Sequence, residues 1–99
     1  MTTFTPGPWH EHSHRQIGPA RGVVCEVWSA IGDTPDDAIA QADANCHLIA
    51  AAPALYAAAG LAAAVLAKGR WIKGSTDPES VALYALLSAL DVANGRAAS

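Results

Sequence analysis

Thr34-Pro35-Asp36-Asp37-Ala38-Ile39-Ala40-Gln41-Ala42-Asp43-Ala44-Asn45-Cys46-His47-Leu48-Ile49-Ala50-Ala51-Ala52-Pro53 decides the fold, because it announces a helix at one end and breaks it at the other. Thr34 is a good N-cap, since its side-chain oxygen can accept from an otherwise unpaired N–H of the first turn. Pro35 suits the first helical position, and Asp36 and Asp37 favour the positive end of the helix dipole. Ile39, Ala42, Cys46 and Ile49 recur at helical spacing on one face. Pro53 lacks an N–H and clashes with the carbonyl of Ile49, so the helix must break or kink there. A second segment, from about Ala54 to Ala67, carries Leu55, Ala58, Ala62 and Val65 on one side, the side expected to face the core. Gly69 is its stop. Residues 35–67 therefore read as one broken helix.

Downstream, a further helix is announced as clearly. Asp77 caps, Pro78 opens, Glu79 sits in the first turn, and Asn94-Gly95 ends it. Leu83, Leu86, Leu87 and Leu90 form its apolar stripe over 77–94. Upstream, residues 1–8 read as an extended arm, since Pro6-Gly7-Pro8 suits neither a helix nor a central strand. Residues 9–30 read as a β-hairpin. Its first strand runs from about Trp9 to Ile17, and its second, from Gly22 to Ala30, has the β-branched and aromatic character of a strand. Gly18-Pro19-Ala20-Arg21-Gly22 between them is a turn signal. A hairpin alone is marginal in water, so something must cover one face. The expected fold is α+β: a short antiparallel β-hairpin packed on two to three alanine-rich helices, in a single domain over residues 1–99.

Composition bounds what this domain can do. The 99 residues are 52% apolar, but alanine supplies much of that and buries little area. A core this small predicts a homo-oligomer built on helical faces. A net charge of −3 argues against a long nucleic-acid groove. Lys68, Arg70 and Lys73 nevertheless cluster between two helices, and Arg15 and Arg21 flank the turn, which leaves room for a local anion site. Cys25 and Cys46 have no metal-type spacing, and the N-terminus lacks the basic start and apolar run of an export signal. Reduced thiols in a cytoplasm are expected. Leu48 to Ala67 carries no charge and is long enough to span a bilayer, yet it is mostly alanine and is interrupted by Pro53 and Gly60; no membrane span is expected.

Two blocks carry a resemblance. Thr5-Pro6-Gly7-Pro8-Trp9 and Ala44-Asn45-Cys46-His47-Leu48-Ile49-Ala50-Ala51-Ala52-Pro53-Ala54-Leu55 together resemble a widespread set of small phage and prophage proteins. In that set a TPGPW arm leads into strands and then into an ANA-x-LIAAAPELL helix. The chain departs from that pattern at Cys46, His47 and Ala54. The set has no agreed catalytic residues, so none is carried over. The resemblance implies a phage-encoded accessory protein in the host bacterial cytoplasm, a context in which small proteins often act against host defence.

The residues themselves offer three functional readings. Trp9 and Trp71 can stack on a nucleobase, Arg15, Arg21 and Arg70 can hold a phosphate, and Asn45 can contact a ligand. These six would suit a non-enzymatic protein that inhibits antiviral defence by binding, either sequestering a nucleotide-derived immune signal or covering a defence protein. For Asn45 the structural alternative is a bond to the hairpin backbone or the Thr5–Trp9 arm. For Trp9 and Trp28 it is a place in the core, whereas Trp71, set among cations, is the tryptophan expected to be exposed. Secondly, His10, His12 and His14 alternate, so on one continuous strand they would share a face and hold a metal, with Glu26 or His47 completing the set. Thirdly, the chain suits a structural or regulatory protein working through protein contacts alone. No Gly-rich phosphate loop and no nucleophile signature is present, so neither enzymatic activity nor a cofactor is expected.

Overall fold

The computed structural model describes residues 4–28 and 34–97. The ends of the arm and tail, and Ser29–Ala30 of the expected second strand, lie outside them. The described elements are β1 (His10–Glu11), a one-turn 3-10 helix (Ser13–Arg15), β2 (Gln16–Gly18), β3 (Cys25–Glu26), α1 (Pro35–Ala50), α2 (Ala52–Leu66) and α3 (Pro78–Ala93). This is an α+β arrangement. Its contacts divide into two compact units, one reaching Ala54 and the other beginning at Leu55.

In the first unit the three strands form an antiparallel sheet in the order β1-β2-β3. His10 pairs with Gly18 and Glu11 with Ile17. Across the other edge of β2, Gln16 pairs with Glu26 and Ile17 with Cys25. The β2–β3 hairpin thus turns where Gly18 to Gly22 signalled it. A side chain at Gly18 would sit 2.3 Å from the Gly22 carbonyl oxygen, so this turn closes only around a residue without Cβ. The expected first strand, Trp9–Ile17, is corrected: it folds back on itself through the 3-10 turn. His14 and Arg15 reach φ values of 58° and 57° there, a left-handed conformation that costs an ordinary residue about 1–2 kcal/mol.

Helix α1 begins as the sequence dictates, with the Thr34 hydroxyl oxygen accepting from the Asp37 N–H at 3.1 Å. It ends at Ala51, whose N–H donates to the His47 carbonyl, and Pro53 falls in the first turn of α2, where a missing donor costs little. α1 packs on β1 and β2. Ala42 and Cys46, one turn apart on α1, and Ile17 on the central strand are the buried apolar side chains of this unit. Ile49 is half-buried, but Ile39 on the same expected stripe is exposed.

The second unit is a helical hairpin. The Tyr56 hydroxyl donates to Asn94 Oδ1 at 2.8 Å, tying the start of α2 to the end of α3. At the opposite end, the Trp71 indole N–H donates to the Leu66 carbonyl at 2.6 Å, and the Ser80 hydroxyl donates to the Ile72 carbonyl at 2.8 Å. α3 closes with the N–H of Gly95 (φ +80°) on the Val92 carbonyl and that of Arg96 on the Asp91 carbonyl, the bonding of a glycine-terminated helix. Asp77 occupies the N-cap position but does not cap with its side chain; it pairs instead with Ser75. Ser80 and Leu83 are buried, with Leu86 and Leu90 half-buried beside them.

The inward face of α2 is also corrected. Ala52, Tyr56, Ala59, Ala63 and Leu66 are covered, whereas Leu55, Ala58, Ala62 and Val65 are exposed. With alanine on every side the apolar contrast around the helix is weak, so the Tyr56 and Leu66 anchors decide its rotation.

Candidate functional site

Several of the polar side chains that drew attention in the sequence are engaged within the fold. Arg15 reaches from the 3-10 turn to Asp43 on α1, Nη2 to Oδ1 at 3.1 Å. One turn on, His47 lies 3.9 Å from Glu11 on β1. These two contacts join the sheet to α1 near the buried Cys46. Burial pushes the Cys46 thiol above its ordinary value of 9.0, Glu11 adding to the shift and Arg15 opposing it. Cys46 is thus held as a neutral, closely packed thiol, a poor nucleophile.

The three histidines do not share a strand face. β1 ends at Glu11, His14 sits in the left-handed turn, and His12 Nε2–H donates to the Pro19 carbonyl at 2.9 Å. That bond fixes the tautomer of His12 and occupies one of its ring nitrogens. The premise of a three-imidazole metal face is therefore corrected. Among the described residues no group of three His, Cys, Asp or Glu side chains could hold a metal ion.

Among the six residues put forward as ligand contacts, Arg15 is committed to Asp43. The Trp9 indole N–H donates to the Thr5 carbonyl at 3.1 Å, and the Trp71 indole closes the end of α2. Trp71 is half-buried against Gly69, not the exposed tryptophan; that residue is Trp28, at 83% exposure, which the sequence had placed in the core. Trp28 lacks cover because β3 is only two residues long and lies at the sheet edge. Asn45 is exposed and, among the described residues, bonds neither the hairpin backbone nor the arm; Arg21 and Arg70 are exposed as well. Among the described residues no hydrogen bond or ion pair joins any of the six to another.

What the sequence reading missed is an apolar surface around β3. Val23 and Val24 precede the strand, both more than 40% exposed, and Trp28 follows it. With the exposed Arg21 at the turn, the chain from 21 to 28 exposes an aromatic, aliphatic side chains and a guanidinium, residue types that anchor protein interfaces. The signal was present in the sequence as a strand with apolar residues at successive positions, more than one buried face of a small sheet can accept.

Among the described residues no single helix is long and apolar enough to cross a membrane; α1 and α2 meet that length and composition only together, across their break. No curated protein and no solved structure matches the chain. Residues 1–97 match the family described as Salmonella phage P22 protein Y8K6. That match spans nearly the whole sequence, and the chain accordingly belongs to this family of phage proteins.

Proposed function

We propose that the protein is a phage accessory factor that acts by binding another protein, without chemistry of its own, and that its target is a component of the host's antiviral defence in the bacterial cytoplasm. The single observation behind this reading is Trp28, 83% exposed just after the edge strand β3, with Val23 and Val24 also exposed just before it. A monomer gains nothing by leaving a tryptophan in water, whereas such a side chain, seated in a partner's pocket, is a frequent source of binding energy. Among the described residues no strand pairs with the outer edge of β3, which offers backbone donors and acceptors near it. Phage membership supplies the context, and the engagement of Trp9, Arg15 and Trp71 in internal bonds favours a protein target over a sequestered nucleotide.

The test is phage plating on bacteria that carry defined defence systems, with the protein supplied in trans. Rescue of plating by the natural chain and its loss in Trp28→Ala, with unchanged circular dichroism, is the expected result. Rescue retained by Trp28→Ala but lost in Arg21→Ala/Arg70→Ala would turn the reading towards an anionic ligand. No rescue against any system would refute the defence target.

A further inference from the structure

We propose that the loop between α2 and α3 docks on an anionic phospholipid surface, with Lys68, Arg70 and Lys73 at the headgroup phosphates and Ile72 entering the apolar layer among them. Half of the six lysines and arginines of the chain fall between positions 68 and 73, in a protein whose net charge is −3. All three are exposed, and no ion pair among the described residues holds any of them. No Asp or Glu occurs between Asp43 and Asp77. Asp77 bonds to Ser75, and among the described residues neither it nor Glu79 pairs with the three cations. Their charge is left to an outside partner.

Ile72 is 77% exposed in the middle of this cluster, and the backbone that carries it is tied down. Its carbonyl accepts from the buried Ser80 hydroxyl at 2.8 Å and from the Ser75 N–H at 3.0 Å. The Trp71 carbonyl accepts from the Tyr84 hydroxyl at 3.3 Å, and the Trp71 indole N–H donates to the Leu66 carbonyl. The loop is therefore fastened to both helices of its unit and presents the isoleucine outward. A β-branched side chain has little rotamer freedom to lose on insertion. Val65, 65% exposed in the last turn of α2, accepts the Lys68 N–H at 3.2 Å and sets a second aliphatic side chain beside the cations. Lysine and arginine stems can lie along the acyl boundary while their charged ends stay with the phosphates.

Two observations favour lipid over other anions. The aromatic ring in the cluster, Trp71, is half-buried against Gly69 with its N–H engaged, so it offers no stacking platform to a nucleobase. Two of the three cations are lysines, which act as point charges without the planar fork that matches a fixed carboxylate, and lysine is depleted from the cores of protein interfaces. Point charges around a protruding aliphatic side chain suit a fluid layer of phosphates over hydrocarbon.

Flotation of the full chain with vesicles of equal parts phosphatidylglycerol and phosphatidylcholine, against pure phosphatidylcholine, tests the proposal. Binding is expected to the anionic vesicles at low ionic strength, and it should weaken as salt is raised. Lys73→Ala should weaken it about fivefold, and Lys68→Ala/Arg70→Ala/Lys73→Ala about a hundredfold. Ile72→Ser should weaken it about tenfold and leave its salt dependence unchanged, as loss of an apolar contact beside an ionic one requires. Arg96→Ala, which removes a cation after the far end of α3, should bind like the natural chain. No binding to the anionic vesicles overturns the proposal, as does equal binding to pure phosphatidylcholine. So does a loss in Arg96→Ala that matches Lys73→Ala, or tighter binding to a single-stranded oligonucleotide or to polyglutamate than to the vesicles.

Discussion

Gly69→Ala would place a methyl group 2.3 to 2.8 Å from three atoms of the Trp71 indole, a rigid ring that cannot yield by a small side-chain rotation. Gly69 is outside the left-handed region, so alanine suits its backbone and the whole penalty is the collision. The ring must swing out, which forfeits two contributions. The bond from Nε1 to the Leu66 carbonyl contributes about 1 kcal/mol net. A half-buried indole covers about 100 Å², worth roughly 2.5 kcal/mol. Reduced freedom of the unfolded chain returns about 0.4–1 kcal/mol. The net loss is about 2–3 kcal/mol, or roughly 10–20 °C in melting temperature for a domain of this size. Thermal melts followed by circular dichroism measure it, and Trp71 fluorescence in a Trp9→Phe/Trp28→Phe background should shift to the red as the ring meets water. The sign reverses once the ring is gone: in Trp71→Ala, the same Gly69→Ala change should stabilise by about 0.4–1 kcal/mol. If Gly69→Ala stays within about 0.5 kcal/mol of the natural chain with unshifted emission, the account of this helix end is wrong.

Two further outcomes follow from the first unit. His14→Gly should stabilise by about 0.5–1 kcal/mol, because glycine removes the left-handed cost at φ 58°; a loss of stability, or a loss of zinc affinity in titration calorimetry, would restore a role for the imidazole. Cys46 should resist thiol reagents in the folded protein while the half-buried Cys25 reacts. Because the folded state keeps the Cys46 proton that the unfolded state releases, stability should hold below the ordinary value of 9.0 and fall as pH rises through and beyond it. Urea denaturation on either side of that pH, with Cys46→Ala as control, measures the effect, and a slope identical in the control would sink it.

The helices were legible because their ends have local causes. Thr34-Pro35, Asp77-Pro78 and Asn94-Gly95 mark boundaries through backbone chemistry that neighbouring residues alone provide, and Pro53 forces a break wherever the rest of the chain lies. The β2–β3 turn was legible for the same reason. The 3-10 turn was not: His14 and Arg15 carry no glycine or asparagine signal, and their left-handed backbone accompanies the Arg15–Asp43 pair, a contact across 28 positions of sequence. Helix rotation in α2 was illegible because alanine offers no contrast between faces. The tryptophans were exchanged in exposure for a related reason. A ring is covered where a small residue makes room, as Gly69 does for Trp71, and no local pattern around Trp28 reveals that the sheet ends beside it.

The contact between the arm and the helix break has an evolutionary consequence. A Cβ at position 7 would stand 2.5 Å from that of Pro53, so glycine in the arm and proline after α1 occupy one shared space. Gly7 cannot gain a side chain unless the backbone at one of the two sites shifts. Loss of the Pro53 ring alone would not free position 7, because the nearest atom is the Cβ that every residue except glycine carries. Gly7 is therefore expected to persist wherever position 53 carries a side chain, although the two lie 46 positions apart.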